Sequence, residues 1–575
     1  TPEPTHRRPH RLAENWIRLD KRSLVPPRDL LVVDHTGRNP ELAAALCTAA
    51  HNHGGSARVL NSETDAAAGS YDTVVILLPE LPEMEASAAV EEAAAFFSEP
   101  SWLPELAGVT NCWLVTVGGE QITADDPAPH LFQGAVTAGY RCLGMESLGI
   151  SFRRVDLAAG QSDASQAAAL VRAVHVKNEP ELALRDGAVY AKRLEIDAAQ
   201  RVPVPDADLA HVVIIGGTGT LGVEFCAHYV RSGARRVTLL SRSGETDAVT
   251  RRLRPIRALG DTEIVVESCD VVDETAVREL AERQQIPATV IVHAGVNYVR
   301  AELADVTAEN FREMAGSKIY GAENMLNLWP RTTECRIILC SSAAATFGGR
   351  GQILYATVNR MLDVLARRLR AQGIDAVAMQ WGLWDLEGPL HAVGTGPVQA
   401  AGVTPMRAAD ALELGFAEHA DHSGTENRLV AAADWNDVQA LMAAIGQGPL
   451  LDDVVAAAAV EDTAAPQAGP APLRGDDTPD PVAQAAAVVA ESPAATVGSG
   501  NLAEQVRRQL GKVMGAENDA FDASVPLVAL GLDSLQALDF RKRVQVELNR
   551  DLPVAAILGG ASLDDVVRLM AGSQA

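Results

Sequence analysis

His211-Val212-Val213-Ile214-Ile215-Gly216-Gly217-Thr218-Gly219-Thr220-Leu221-Gly222 decides the fold of this chain. The apolar run ending at Ile215 reads as a strand buried on both faces, the pattern of a parallel sheet covered by helices. It breaks directly into glycines, and a helical pattern follows to about Ser232. Gly216, Gly219 and Gly222 are spaced for a tight strand-to-helix turn, a close approach to a pyrophosphate and close packing of helix on strand. A glycine-rich loop alone is a weak sign. The next strand, Arg236 to Leu240, strengthens it by ending in Ser241-Arg242-Ser243. An acid at that point suits a ribose 2′-hydroxyl, whereas a cation suits a 2′-phosphate. The expected cofactor is therefore NADPH, held by Gly216 to Gly222 and Ser241, with Arg242 reading the phosphate.

Working outward, strand and helix signals keep alternating. Ile264 to Val266 leads to Cys269-Asp270, Val290 to Val292 to His293-Ala294-Gly295, Ile337 to Leu339 to Ser341-Ser342, and Ala376 to Met379 to Trp381-Gly382. This rhythm predicts a doubly wound parallel sheet, in which ligands bind outside the carboxyl ends of the strands. Asp270, His293, Ala294 and Gly295 fall at that edge and join the expected cofactor site. Residues from about 12 to 200 show a second alternation, with strands at Leu30 to Val33, Thr73 to Leu78, Trp113 to Val117 and Phe152 to Leu157. The loop after the first of these, Asp34-His35-Thr36-Gly37-Arg38, has one glycine where three are needed, so no cofactor is expected there. Glu181 to Glu195, turning at Arg185-Asp186-Gly187, reads as a hairpin linking the two halves. The expected class is α/β, with two Rossmann-like doubly wound subdomains, the first degenerate.

At the same edge stand Lys318, Ser342, Tyr355 and Asn359. Tyr355 and Asn359 share one helix face, and Ser342 closes the preceding strand. Each has an ordinary structural alternative, but their joint spacing resembles the ketoreductase domains of modular polyketide synthases, within the short-chain dehydrogenase superfamily. The usual superfamily lysine, four residues after the tyrosine, is Asn359 here, and the lysine lies upstream at 318, the arrangement peculiar to the polyketide ketoreductases. The resemblance implies reduction of a β-ketoacyl thioester, with Tyr355 as proton donor. A free phenol near pKa 10 is a reluctant donor unless a cation eases it. Lys318 supplies that field, Ser342 hydrogen-bonds the carbonyl oxygen, and Asn359 orders the lysine or a water chain. The resemblance also makes Trp381 through Val398 a substrate-covering lid, with Trp381 and Leu383 near its base, although a plain packing role for the tryptophan is an equal alternative. The Leu-Asp-Asp that marks one stereochemical class is absent after His293-Ala294-Gly295-Val296, and Phe347 stands where the other class usually has Trp. The first of these tilts the reading toward the second, A-type class.

Near the other end, Leu530-Gly531-Leu532-Asp533-Ser534-Leu535 places a serine at the start of a predicted amphipathic helix. Alone, it reads as a helix cap. Residues 502–570 together resemble an acyl carrier protein, with helices marked by Leu502, Val506, Leu510 and Val513, by Leu535, Leu538, Val544 and Leu548, and by Leu563, Val566, Val567 and Met570. That resemblance implies a covalent 4′-phosphopantetheine arm on Ser534, where the helix dipole favours a phosphate.

The expected domains are a structural subdomain at 1–200, a catalytic one at 201–448, a flexible Ala/Pro-rich linker at 449–500 and a carrier at 501–575. The chain has 575 residues, 47% of them apolar, and no apolar run long enough to span a bilayer. A net charge of −26 argues against a nucleic-acid surface. Seven cysteines with no CxxC pair read as reduced core residues of a cytoplasmic protein with no metal site. The first residue, Thr1, suggests a piece of a longer polypeptide. Expected partners are a ketosynthase, an acyltransferase and a phosphopantetheinyl transferase. The competing readings are an inactive reductase-fold scaffold joined to a carrier, and a stand-alone dehydrogenase of free small molecules.

Overall fold

Val212–Ile215, Thr73–Leu77 and Asn111–Val117 are buried at every position, as parallel strands covered by helices on both faces must be. The computed structural model describes residues 7–20, 23–60, 70–123, 125–147, 149–197, 201–202, 208–386, 402–419, 427–464 and 499–514, and beyond them 523, 527, 532, 534–548, 550, 552 and 561–572. They fall into two compact units, Thr1–Val454 and Val455–Ala575.

The strands of the first unit are β1 (His10–Arg18), β2 (Asp29–Asp34), β3 (Ser56–Val59), β4 (Thr73–Leu77), β5 (Asn111–Val117), β6 (Ser151–Leu157), β7 (Glu181–Arg185), β8 (Ala188–Ile196), β9 (Arg201–Val202), β10 (Val212–Ile215), β11 (Arg236–Ser241), β12 (Glu263–Ser268), β13 (Ala288–His293), β14 (Arg331–Ser342), β15 (Ala376–Trp381), β16 (Val403–Thr404), β17 (Glu418–His419) and β18 (Arg428–Ala433). Among the described residues one sheet runs in the order β12-β11-β10-β13-β14-β15-β18-β1-β8-β7-β6-β5-β4-β2-β3, with β16 against β18 and β9 paired separately with β17. The stretch β12 to β18 is parallel throughout, and so is β7 to β3. These are the two doubly wound halves.

They are not separate sheets, however. β1 pairs antiparallel with β18 on one side and with β8 on the other, so a strand from the N terminus, absent from the sequence reading, welds the halves together. The Glu181–Glu195 hairpin does form, as β7 and β8, and within the sheet it is joined to the second half through β1. Two helices cross the same seam. Ile353–Ala371 lies along Leu131–Glu146, so closely that a Cβ on Gly139 would come within 2.2 Å of Thr357 Oγ1.

One boundary needs correction. The linker was expected to start at 449, yet Gly448–Leu451 makes a helical turn and Asp452–Ala464 a helix, with Leu450, Leu451 and Val454 buried. Its alanines favour helix and two acids sit at its positive end, which outweighs the low content of large apolar side chains. Residues 465–498 lie outside the described residues.

The second unit holds the helices Ser499–Met514, Ser534–Leu548 and Leu563–Gly572. Leu502, Val506, Leu510, Ala537, Phe540, Val544, Leu563, Val566 and Met570 are its buried residues at helical spacing. Ser562 opens the last helix by exchanging bonds with Asp565: its Oγ donates to the carboxylate at 2.7 Å and accepts the Asp565 N–H at 3.3 Å. No helix among the described residues is long and apolar enough to cross a membrane.

Candidate active site

β10 lies between β11 and β13, so its turn stands at the centre of the carboxyl edge. Gly216 adopts φ +71°, and a Cβ there would come within 2.9 Å of Gly295 Cα. Only glycine meets both conditions. Its N–H donates to Leu240 O at 2.9 Å, Gly219 N–H donates back to Gly216 O at 2.9 Å, and the helix Thr220–Arg231 starts immediately. Ala294 N–H donates to Ile215 O at 3.0 Å, which brings the Ala294-Gly295 bend beside the turn. Ser241 ends β11 and Arg242 follows, exposed, its carbonyl accepting from Ser268 Oγ at 2.9 Å. Asp270 is also exposed and caps its own turn through Val272 N–H at 3.1 Å.

Two positions differ from the sequence reading. His293, assigned to the cofactor, is 1% exposed and turned inward, its Nε2 lying 2.7 Å from Ser317 O. Burial, with Lys318 nearby, pushes it down to about 4, so a neutral imidazole braces the lysine's turn from beneath the site. Arg252, which the sequence did not single out, donates to Thr218 O at 3.0 Å and Gly219 O at 3.2 Å, placing a second guanidinium on the glycine turn. Its signal was hidden in the Arg-rich helix Asp247–Arg257, which reads as a solvated face.

The four expected catalytic residues come from three elements. Lys318 sits in a π-helical turn, Gly316–Tyr320, a distortion frequent at functional sites. Ser342 is the last residue of β14, and Tyr355 and Asn359 occupy one face of the helix Ile353–Ala371. The buried Lys318 ammonium donates to Cys340 O at 2.8 Å and stands 5.9 Å from the centre of the Tyr355 ring. Ser342 Oγ accepts from Ala344 N–H at 3.2 Å. Asn359 Nδ2 donates to Tyr355 O at 2.7 Å, one helical turn back, and its Oδ1 is buried without a partner among the described residues. The asparagine therefore does not hold the lysine directly. Tyr298 packs edge-on against Tyr355, ring centres 5.1 Å apart, a neighbour the sequence reading left unassigned.

Burial pushes the Tyr355 phenol above its usual value, against the pull of Ser342 and Asn359 beside its hydroxyl. Burial also pushes Lys318 down to about 8, opposed by Cys340 and by the carboxylate of Asp363.

Of the two roles open to Trp381, packing is the one its surroundings favour. The ring is 4% exposed and packs against Trp384, with centres 4.9 Å apart, and Phe225, at 6.1 Å. As the last residue of β15 it faces the covering helices, and its side chain is core. Leu383, half-buried, accepts Met406 N–H at 2.8 Å through its carbonyl, and residues 387–398 lie outside the described residues. Phe347 is half-buried, its ring 6.4 Å from that of Trp435. Ser534 is the first residue of its helix; its side chain lies outside the described residues.

Comparison with known proteins decides the family. The family model described as "KR domain" matches residues 210–386, and "Phosphopantetheine attachment site" matches 504–570. The chain carries a KR domain followed by a phosphopantetheine attachment domain, and the relatives it matches are polyketide synthases. It is 31% identical over 420 residues to the pikromycin polyketide synthase component PikAIII of Streptomyces venezuelae, covering 70% of this chain and 26% of that one. With erythronolide synthase EryA3 of Saccharopolyspora erythraea the identity is 28%, over 80% of this chain and 14% of the other. This chain thus spans about a quarter or less of these relatives. Among solved structures, the PlmKR1 ketoreductase from the first module of phoslactomycin biosynthesis in Streptomyces sp. HK803 superposes with a TM-score of 0.61 at 27% identity, covering 77% of this chain and 98% of that one. The first ketoreductase of the tylosin synthase gives 0.62 at 25%, covering 77% and 97%.

Proposed function

We propose that this chain reduces the β-keto group of an acyl thioester to a β-hydroxyl with NADPH, the substrate arriving on a 4′-phosphopantetheine arm at Ser534. The observation that carries the reading is the buried Lys318 ammonium 5.9 Å from the Tyr355 ring, with Ser342 at the adjacent strand end. The residues fit the nucleotide: a turn at Gly216 that a Cβ would fill, and Arg242 exposed after β11. When bound, NADPH supplies the hydride. Tyr355 gives its phenolic proton to the carbonyl oxygen as charge develops there, Ser342 donates a hydrogen bond to the same oxygen, and Lys318 lowers the cost of the phenolate left behind. The orphan Asn359 Oδ1 is suited to accept from a water that returns a proton to the site.

On this reading residues 1–200 brace the catalytic residues 201–448, and 501–575 carry the substrate. A phosphopantetheinyl transferase loads the arm, and a ketosynthase and an acyltransferase build the chain being reduced, in the cytoplasm. The test is NADPH oxidation with a simple β-ketoacyl thioester. Tyr355→Phe is expected to lose about 10²–10⁴-fold in kcat while still binding NADPH, and only native Ser534, not Ser534→Ala, should gain the mass of the arm. Equal turnover in Tyr355→Phe, or no NADPH binding by the native chain, would overturn the reading.

A further inference from the structure

Beyond Asn359, the helix Ile353–Ala371 carries buried charges that the proposed chemistry leaves unused. Arg360 donates to Glu14 at 2.8 Å and to both oxygens of Glu120 at 2.8 and 3.0 Å, and Arg367 donates to Glu14 at 2.8 Å. Both carboxylates come from the N-terminal half, Glu14 on β1 and Glu120 just after β5. Asp363, fully buried, lies 3.7 Å from the Arg360 guanidinium and accepts from Gln380 Nε2 at 2.6 Å. Its second oxygen has no partner among the described residues. Tyr355, Asn359 and Asp363 follow at four-residue steps and so share one helix face. The end of β14 links that face to the lysine: Cys340 O accepts from Lys318, and Ser341 Oγ donates to Asn359 O at 3.0 Å.

We infer that Asp363 is a positioning residue for the reduction: fixed by Gln380 and Arg360, its carboxylate keeps the Lys318 ammonium charged behind Tyr355, and the N-terminal half reaches the active site through Glu14 and Glu120, which anchor Arg360. The inference rests on the reductase reading above. Around the lysine stand His293 on β13, Cys340 on β14 and Tyr355 on the helix, and among the described residues Asp363 is the carboxylate whose charge acts on it. Around Asp363 itself stand Arg360, Glu14, Ser341 and Gln380. Burial pushes it up to about 6, with Arg360 pulling the other way. It is therefore ionised at neutral pH and opposes the burial that drives Lys318 down.

Asp363→Asn keeps the shape and an acceptor for Gln380 but removes the charge. The chain has six lysines, Lys21, Lys177, Lys192, Lys318, Lys512 and Lys542, few enough to follow by ¹³C NMR of labelled ε-carbons, with Lys318 assigned by its loss in Lys318→Met. In Asp363→Asn the Lys318 midpoint is expected to fall by about one pH unit, the alkaline limb of kcat moving with it; Asp363→Glu restores both. Glu120→Gln acts without touching Asp363 and should shift the midpoint the same way by less. An unmoved midpoint in Asp363→Asn, with kcat reduced equally at every pH, overturns the inference. A shifted midpoint in a native chain that shows no turnover overturns the reductase reading instead and upholds the link from Asp363 to Lys318.

Discussion

On the proposed reading Lys318 meets two opposed demands, because the cation that would ease proton donation by Tyr355 has been taken out of water. Burial lowers its pKa to about 8, so the ammonium is intact below that pH and is lost as pH rises through it. Tyr355 is pushed the other way, above its usual value, so it remains a phenol over the same range. Reduction should therefore be level from neutral pH up to about 8 and fall about tenfold per unit above it, with Lys318→Met slow and without that limb; initial rates of NADPH oxidation against pH, with saturating thioester, measure this. Trp381 shows the contrasting case of a conspicuous residue whose role is packing. Truncating so large a buried ring to alanine should cost about 3–5 kcal/mol. Thermal melts should register that cost, and NADPH affinity measured well below the melting temperature should be unchanged; a weakened affinity with an unchanged Tm would restore the lid-base role.

At the scale of the element, the turn after β10 is fixed more tightly than any single contact in it. A side chain at Gly216 would face both an unfavourable φ and the backbone of Gly295. Gly216→Val is expected to weaken NADPH binding at least about tenfold, because the strain of about 1–3 kcal/mol is relieved by moving the loop whose N–H groups must face the pyrophosphate; quenching or enhancement of the nucleotide's fluorescence reads this directly. The elements that were legible in the sequence share one property. β10, β11, β13 and β14 carry apolar runs of Val, Ile and Leu, and β15 one of Ala, Val and Met, as strands buried on both faces do. β1 was illegible for the opposite reason: His-Arg-Leu-Ala-Glu-Asn-Trp-Ile-Arg mixes charge with apolar residues, because its buried positions hold Arg11 and Glu14 and find their partners up to several hundred residues away. The helix Asp452–Ala464 was missed because composition alone does not separate an alanine-rich tether from an alanine-rich helix. Tyr355, Ser342, Lys318 and Asn359 could be singled out as candidates because their spacing is a property of the chain, while Asp363, Arg252 and Tyr298 stand out only through neighbours that the fold brings to them.

Across the whole first unit, the seam between the halves is built from charge as well as apolar surface. Glu14, Glu120 and Glu181 meet Arg141, Arg154, Lys192, Arg360 and Arg367 in one buried cluster; Arg154 bonds both Glu120 and Glu181, and Lys192 lies 2.9 Å from Glu14. Such a cluster stabilises only while complete, since removing one member strands the others away from water. Glu120→Gln should destabilise the protein by about 3–5 kcal/mol. It should also change the response to acid, and here the sign follows from the individual carboxylates. Arg360 and Arg154 hold Glu120 down at about 2 against its burial, below the usual glutamate value of 4.5, and Glu14 and Glu181 are held low in the same way. The stability these groups contribute is complete above about pH 4.5 and is lost as pH falls toward the folded values. Asp363, raised to about 6, works in the opposite sense and gains on protonation, but it is one group against three. The native chain should therefore lose stability steeply from pH 4.5 downward, and Glu120→Gln, which has one fewer proton to take up on unfolding, should fall less steeply from a lower starting point. Urea midpoints between pH 3 and 7 separate the two curves. Parallel curves would mean that Glu120 has the same pKa folded and unfolded, and the ionic pairing would then contribute nothing to the pH dependence of stability.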